Sequence, residues 1–93
     1  MDTTIIESSS GNFGVALSNL CNRLNLRFVC VVDPCISPIN EFLIRSQGAE
    51  LLKVTEPDRN GGFLLTRIKT VKQFLRDTPD SFWVNQYGNP NNA

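Results

Sequence analysis

Four short runs of branched and aromatic residues, TTIIE at 3–7, RFVCVV at 27–32, ELLKVT at 50–55 and FWVNQ at 82–86, alternate with three stretches of helical periodicity. This alternation is the strongest constraint on the fold. Each run is short and apolar enough to form a strand buried on both faces. Over 12–24, Val15, Ala16, Leu20 and Leu24 recur at helical spacing, and over 37–47 Ile39, Phe42 and Leu43 do the same. Over 62–76 the stripe is Leu64, Ile68, Val71 and Leu75, with Arg67, Lys69, Lys72 and Arg76 on the wet side. Gly48 suits the C′ position of the second helix, and Pro79 with Asp80 ends the third.

The predicted order β-α-β-α-β-α-β calls for right-handed crossovers and a parallel sheet with helices on both faces. The expected fold class is α/β, a three-layer αβα unit with a four-stranded parallel sheet in the Rossmann-like order 3-2-1-4. The first and last strands are then neighbours, and the winding direction switches between them. Open sheets of this type bind ligands at the carboxyl ends of the strands at that switch. The loops leaving those ends are SSSGNFG at 8–14 and QYGNPNN at 86–92, the two most polar and turn-rich loops in the chain.

Composition narrows the ligand. Nine basic and nine acidic residues balance, which is not the footprint of a nucleic-acid or membrane-surface binder. The expected partner is a small molecule. The absence of histidine excludes His-based triads and HExxH-type zinc sites from this chain, and no metal site is expected. Cys21, Cys30 and Cys35 are odd in number and without CxxC spacing, and read as buried thiols of a reducing compartment. No stretch resembles a signal peptide or a membrane span, so a cytoplasmic location is expected. Ninety-three residues are expected to form a single domain over 1–93.

In the first loop, Ser8, Ser9 and Ser10 bring hydroxyls to a strand-to-helix corner, and Gly11 permits a tight turn with close ligand approach. The following helix offers unpaired N–H groups and the positive end of its dipole, which together hold a carboxylate or phosphate. Asn12 adds an amide donor suited to a phenolate or carbonyl oxygen, and Gln86 a second amide from the neighbouring strand end. A purely structural alternative stands beside this, in which the serines and Asn12 cap a helix and the glycines form a turn. SGNFG lacks the GxGxxG spacing of dinucleotide sites, no GK[ST] is present, and Asp33 before Pro34 suits a turn.

SSGNFG (9–14) resembles the TSGNTG loop of the fold type II pyridoxal-phosphate enzymes, the cysteine synthase and cystathionine β-synthase family. QYGNPNN resembles their QFxNPxN segment, and VVDPCISPINEFLIRSQGAEL (31–51) looks like the stretch after the second strand of their small domain. DPCISPIN, EPDRNGGFLLTRI and WVNQY look most like the branch that makes N-(2-amino-2-carboxyethyl)-L-glutamate from O-phospho-L-serine and glutamate, on the way to 2,3-diaminopropionate for siderophores. Two departures from cysteine synthases stand out: Phe13 replaces a Thr, and Ile39-Asn40-Glu41 stands where many carry Glu-Arg-Arg.

The resemblance implies pyridoxal 5′-phosphate as cofactor in the parent protein, with Asn12 contacting the ring oxygen. It also implies that Ser9, Ser10, Gly11 and Gln86 grip the substrate carboxylate beside Phe13, whose ring in place of a hydroxyl points away from sulfide as nucleophile. The family's cofactor-linking lysine lies upstream of the Ser-Gly-Asn loop and its phosphate-cradling glycine loop downstream. The chain is therefore expected to be the movable substrate-binding small domain of a larger, homodimeric β-replacement enzyme, and to be inactive when isolated. Phe13, Phe63 and Trp83 are candidates for an apolar patch through which the isolated piece self-associates. The alternative from another class is a non-catalytic α/β module that binds anions or supports assembly.

Overall fold

A computed structural model of the chain describes residues 3–9, 12–59 and 61–84. Its elements follow in the order β1 (Thr4–Ser8), α1 (Asn12–Arg23), β2 (Arg27–Val32), α2 (Pro38–Ser46), β3 (Glu50–Lys53), α3 (Leu64–Asp77) and β4 (Ser81–Trp83). The four strands form one parallel sheet in the order β3-β2-β1-β4. Because the winding direction reverses after β3, α1 and α2 share one face of the sheet and α3 takes the other.

Each face has its own core. On the α1/α2 side, Cys21 and Ile44 close over Phe28, Cys30 and Val32, with Ile36 beside them. On the α3 side, Val71 closes over Ile6, Val29 and Val31, with Phe74, Leu75 and Trp83 packed around them. Registers Ile5↔Phe28 and Ile6↔Val29 put alternate residues of β1 and β2 on opposite faces, so these two central strands are apolar on both.

The outer strands depart from the expectation of burial on both faces, and they are shorter than their apolar runs. α1 and α2 cover β1, β2 and β3, whereas α3 covers β1, β2 and β4. Each edge strand is therefore bare on one side. Leu52, in register with Val31 on the α3 face, is 38% exposed, and Phe82, in register with Ile5 on the α1/α2 face, is 58% exposed.

The helices also turn differently from the expected stripes. The buried line of α1 is Gly14, Ser18 and Cys21, spaced i, i+4, i+7, while Ala16, Leu20 and Leu24 face outward and Val15 is half-buried. Small residues let the helix lie close to the sheet: a Cβ on Gly14 would sit 3.3 Å from Cys30 Sγ, 3.3 Å from the Ser9 carbonyl oxygen and 3.4 Å from Ile44 Cδ1. In α2 only Ile44 is buried, and Ile39, Phe42 and Leu43 are exposed. In α3, Val71 is buried as expected, but Leu64 is exposed and Arg67 is not on the wet side at all: its side chain keeps only 11% of its accessibility. Cys35 is exposed, unlike Cys21 and Cys30, because it follows Asp33 and Pro34 in the turn after β2; all three are free thiols.

Local signals set the helix ends. Ser37 Oγ accepts a hydrogen bond from the Asn40 amide at 3.0 Å, with Pro38 at the first helical position of α2. Gly48, at φ +83°, donates its amide to the Arg45 carbonyl and ends that helix as expected. At α3 the capping residue Phe63 has no side-chain acceptor. Asp58 substitutes from across the preceding loop, its carboxylate accepting from the amides of Gly62 and Leu65 at 3.2 Å each.

Candidate functional site

The two loops singled out in the sequence leave strands that are hydrogen-bonded neighbours: β1 pairs with β4 through Thr4↔Ser81, Ile5↔Phe82 and Ile6↔Trp83. Their carboxyl ends therefore lie side by side at the switch point of the sheet. Of the residues expected to form the site, Ser9, Asn12 and Phe13 are described; Ser10, Gly11 and Gln86 lie outside the described residues.

Ser9 is buried and held at three points. Its amide donates to the Val31 carbonyl at 3.2 Å, its carbonyl accepts from the Cys30 thiol at 3.0 Å, and its Oγ accepts from the Gly14 amide at 3.2 Å. The last contact satisfies an otherwise orphaned donor in the first turn of α1. The capping reading of this serine is thus realised. Asn12 opens α1 with an exposed side chain, and no acidic residue occupies the first turn to offset the positive end of the helix. Phe13 beside it is 37% exposed.

Burial is the main cause that pushes the Cys30 thiol up to about 12, so it stays protonated and donates to Ser9; the Arg67 guanidinium is near enough to oppose that shift. Arg67 comes from α3 to meet Asp33, just beyond β2, with Nε to Oδ2 at 3.4 Å. Among the described residues its Nε and Nη1 have no hydrogen-bond partner. Asp33 also accepts from the Cys35 amide at 2.8 Å, the turn role expected of it. The acid and the base therefore offset one another in charge.

Three residues here escaped sequence reasoning. Glu7 is fully buried at the end of β1, and its Oε1 accepts from both the Ser8 amide and Trp83 Nε1 at 2.8 Å. A signal existed, since an acid inside an otherwise apolar strand needs buried partners. Cys30 and Arg67 gave none, because the strand and helix periods place a side chain on a face without naming what it meets there. A cleft of about 260 Å³ also opens between the C-terminal ends of α1 and α2 and the start of β2, near Asn22, Arg27 and Gln47; it lies at the opposite end of the sheet from the carboxyl ends of β1 and β4.

Residues 2–93 match the family model described as pyridoxal-phosphate dependent enzyme. The chain is 52% identical over 90 residues to an N-(2-amino-2-carboxyethyl)-L-glutamate synthase of Ralstonia nicotianae, covering 97% of this chain and 27% of that protein. It is 51% identical over 88 residues to the synthase of that name from Cupriavidus metallidurans, covering 95% and 26%. Among solved structures, a hydrogen sulfide-producing enzyme from Fusobacterium nucleatum superimposes with a TM-score of 0.81 at 32% identity over 94% of this chain and 25% of its own. A cysteine synthase from Entamoeba histolytica does so with a TM-score of 0.81 at 29% identity, over 96% and 25%. The chain spans about a quarter of the length of these relatives. The sheet order, the carboxyl ends of β1 and β4 side by side at its switch point and a match over nearly the whole chain lead to one assignment: the chain belongs to the pyridoxal-phosphate dependent enzyme family.

Proposed function

We propose that this chain is the substrate-binding small domain of a pyridoxal-phosphate enzyme that carries out β-replacement on an O-activated L-serine. The observation that carries the reading is the pairing of β1 with β4, which brings the carboxyl ends leading into SSSGNFG and QYGNPNN together. The residues present fit part of the cofactor. An exposed amide at the uncompensated positive end of α1 suits an anionic ring oxygen. They do not fit its covalent attachment: Lys53 is paired with Glu41 at 3.3 Å, and Lys69 and Lys72 are exposed on α3, across the sheet from α1. That attachment is assigned to the remaining length seen in the relatives.

Pyridoxal phosphate, when bound, would supply an electron sink for the charge that develops at Cα when its proton is removed, ahead of loss of the β-substituent. This chain's part is to bind and orient. Asn12 meets the ring oxygen, and Ser9, Ser10, Gly11 and Gln86 take the α-carboxylate, fixing the Cα–H bond for proton removal. Phe13 presents a ring beside them where a hydroxyl would favour a small polar nucleophile. The relatives' name, N-(2-amino-2-carboxyethyl)-L-glutamate synthase, favours glutamate as acceptor. O-phospho-L-serine as donor and a place in siderophore precursor synthesis belong to the same proposal and rest on the resemblance of DPCISPIN, EPDRNGGFLLTRI and WVNQY to that branch.

The test uses the full-length parent protein. It is expected to hold pyridoxal phosphate, to sustain phosphate release from O-phospho-L-serine beyond a single turnover only when glutamate is present, and to yield the coupled amino acid by mass spectrometry. Asn12→Ala and Gln86→Ala are expected to lower turnover more than they lower stability. A parent that holds no cofactor, or equal losses of stability and turnover in both variants, would defeat the reading.

A further inference from the structure

The buried acid of β1 has no part in the proposed chemistry, yet it sits directly behind the site. Glu7 is 0% exposed, and one of its oxygens, Oε1, takes two donors that are 75 residues apart in sequence, the Ser8 amide and the Trp83 indole. The first donor belongs to the backbone where β1 ends and the serine loop begins. The second is the last residue of β4, and Val84 follows it out of the sheet. β4 is a three-residue edge strand whose ladder with β1 ends at Ile6↔Trp83, two residues short of Ser8, so the strand pairing itself does not reach the end of β1. Trp83 is half-buried and packs on the α3-side core, which orients its ring without fixing the spacing between strand ends.

We infer that Glu7 is a positioning residue: through Oε1 it locks the Trp83 end of β4 to the Ser8 end of β1, so that the two flanks of the substrate site hold one spacing. The inference rests on the reading above for its functional consequence, and on the paired hydrogen bonds alone for the lock. An acceptor shared between a backbone amide and a side chain of the neighbouring strand couples the two ends, because displacing either donor changes what the oxygen offers the other. A ligand bridging both ends then meets preorganised groups in place of two independently adjusting loops.

The experiment takes the full-length protein as wild type, Trp83→Phe, Glu7→Gln and Val71→Ala. Trp83→Phe keeps a ring and removes the donor; Glu7→Gln keeps an acceptor oxygen; Val71→Ala thins the same core and leaves both hydrogen bonds. Hydrogen exchange of the Ser8 amide is expected to speed up roughly fivefold in Trp83→Phe, the scale of one lost hydrogen bond. In the same variant KM for O-phospho-L-serine is expected to rise by a similar factor with a smaller change in kcat. Glu7→Gln, which keeps the acceptor oxygen, stays close to wild type in both values, and Val71→Ala changes neither despite its lower melting temperature. Unchanged Ser8 exchange in Trp83→Phe, or an equal KM shift in Val71→Ala, overturns the inference. If Trp83→Phe does not fold, exchange of the Trp83 indole N–H in the wild type decides: protection supports the lock, and exchange at the rate of a free indole overturns it. Failure of the parent to hold cofactor or turn over substrate would defeat the functional reading and leave the exchange measurements interpretable by themselves.

Discussion

Placing a methyl group on Gly14 tests the packing that seats α1 on the sheet. The alanine Cβ would lie 3.3 Å from both Cys30 Sγ and the Ser9 carbonyl oxygen, and 3.4 Å from Ile44 Cδ1. All three neighbours are buried or belong to buried residues, and one is backbone held in a strand-end hydrogen bond, so none can swing away. Overpacking of this kind costs about 1–3 kcal/mol. Replacing glycine by alanine within a helix returns roughly 0.5–1 kcal/mol. The net expectation is a loss of about 1–2 kcal/mol, or a fall of some 4–16 °C in melting temperature for a domain of this size. Urea unfolding followed by the fluorescence of Trp83, the chain's one tryptophan, reads the change at constant m-value. Cys30→Ala removes one of the 3.3 Å neighbours, so the double variant should lose less than the sum of the two singles, with a coupling of at least about 0.5 kcal/mol. A neutral or stabilising Gly14→Ala, or strict additivity with Cys30→Ala, would refute the close seating of α1.

Asp33→Ala should destabilise by about 3–5 kcal/mol, because it leaves the largely buried Arg67 guanidinium without its countercharge, and Asp33→Ala with Arg67→Met should recover part of that loss. With Cys30 raised from an ordinary 9.0 to about 12, the folded state holds a proton that the unfolded state releases. Its stabilisation is complete below pH 9 and is lost as pH rises from there toward 12, at up to about 1.4 kcal/mol per pH unit, so the wild type should show a steeper alkaline loss than Cys30→Ala. In native protein a thiol-specific disulfide reagent should modify exposed Cys35 quickly, and buried Cys21 and Cys30 only at the rate of opening. Ser37→Ala should cost about 1 kcal/mol through the lost cap on the Asn40 amide, measurable by the same urea titration.

The topology was legible from the order of the apolar runs, because strands and helices that alternate in sequence admit few right-handed arrangements. Loop chemistry was legible as well: Gly48 and Asp33 with Pro34 perform the local roles their residue types suggest. Which apolar residues are covered was not. A stripe such as Leu20 and Leu24, or Ile39 and Phe42, states that a helix has an apolar side, yet Gly14, Ser18 and Cys21 won the contact in α1 because small side chains let the backbone approach the sheet. The same limit hid Arg67, whose helical position predicted solvent until Asp33 arrived beside it from β2.

By itself, then, the sequence determined an α/β unit with four parallel strands, its order 3-2-1-4, and that the carboxyl ends of the first and last strands meet at the switch point. These follow from local periodicity and from rules of handedness that depend on no particular contact. Only the tertiary structure decided that Ser9 is held by Val31, Cys30 and Gly14, that the outer strands are each bare on one face, and that Glu7 joins the ends of β1 and β4 through Trp83. Such pairings join residues tens of positions apart, and a buried acceptor takes whichever donors the packed sheet brings within about 3 Å.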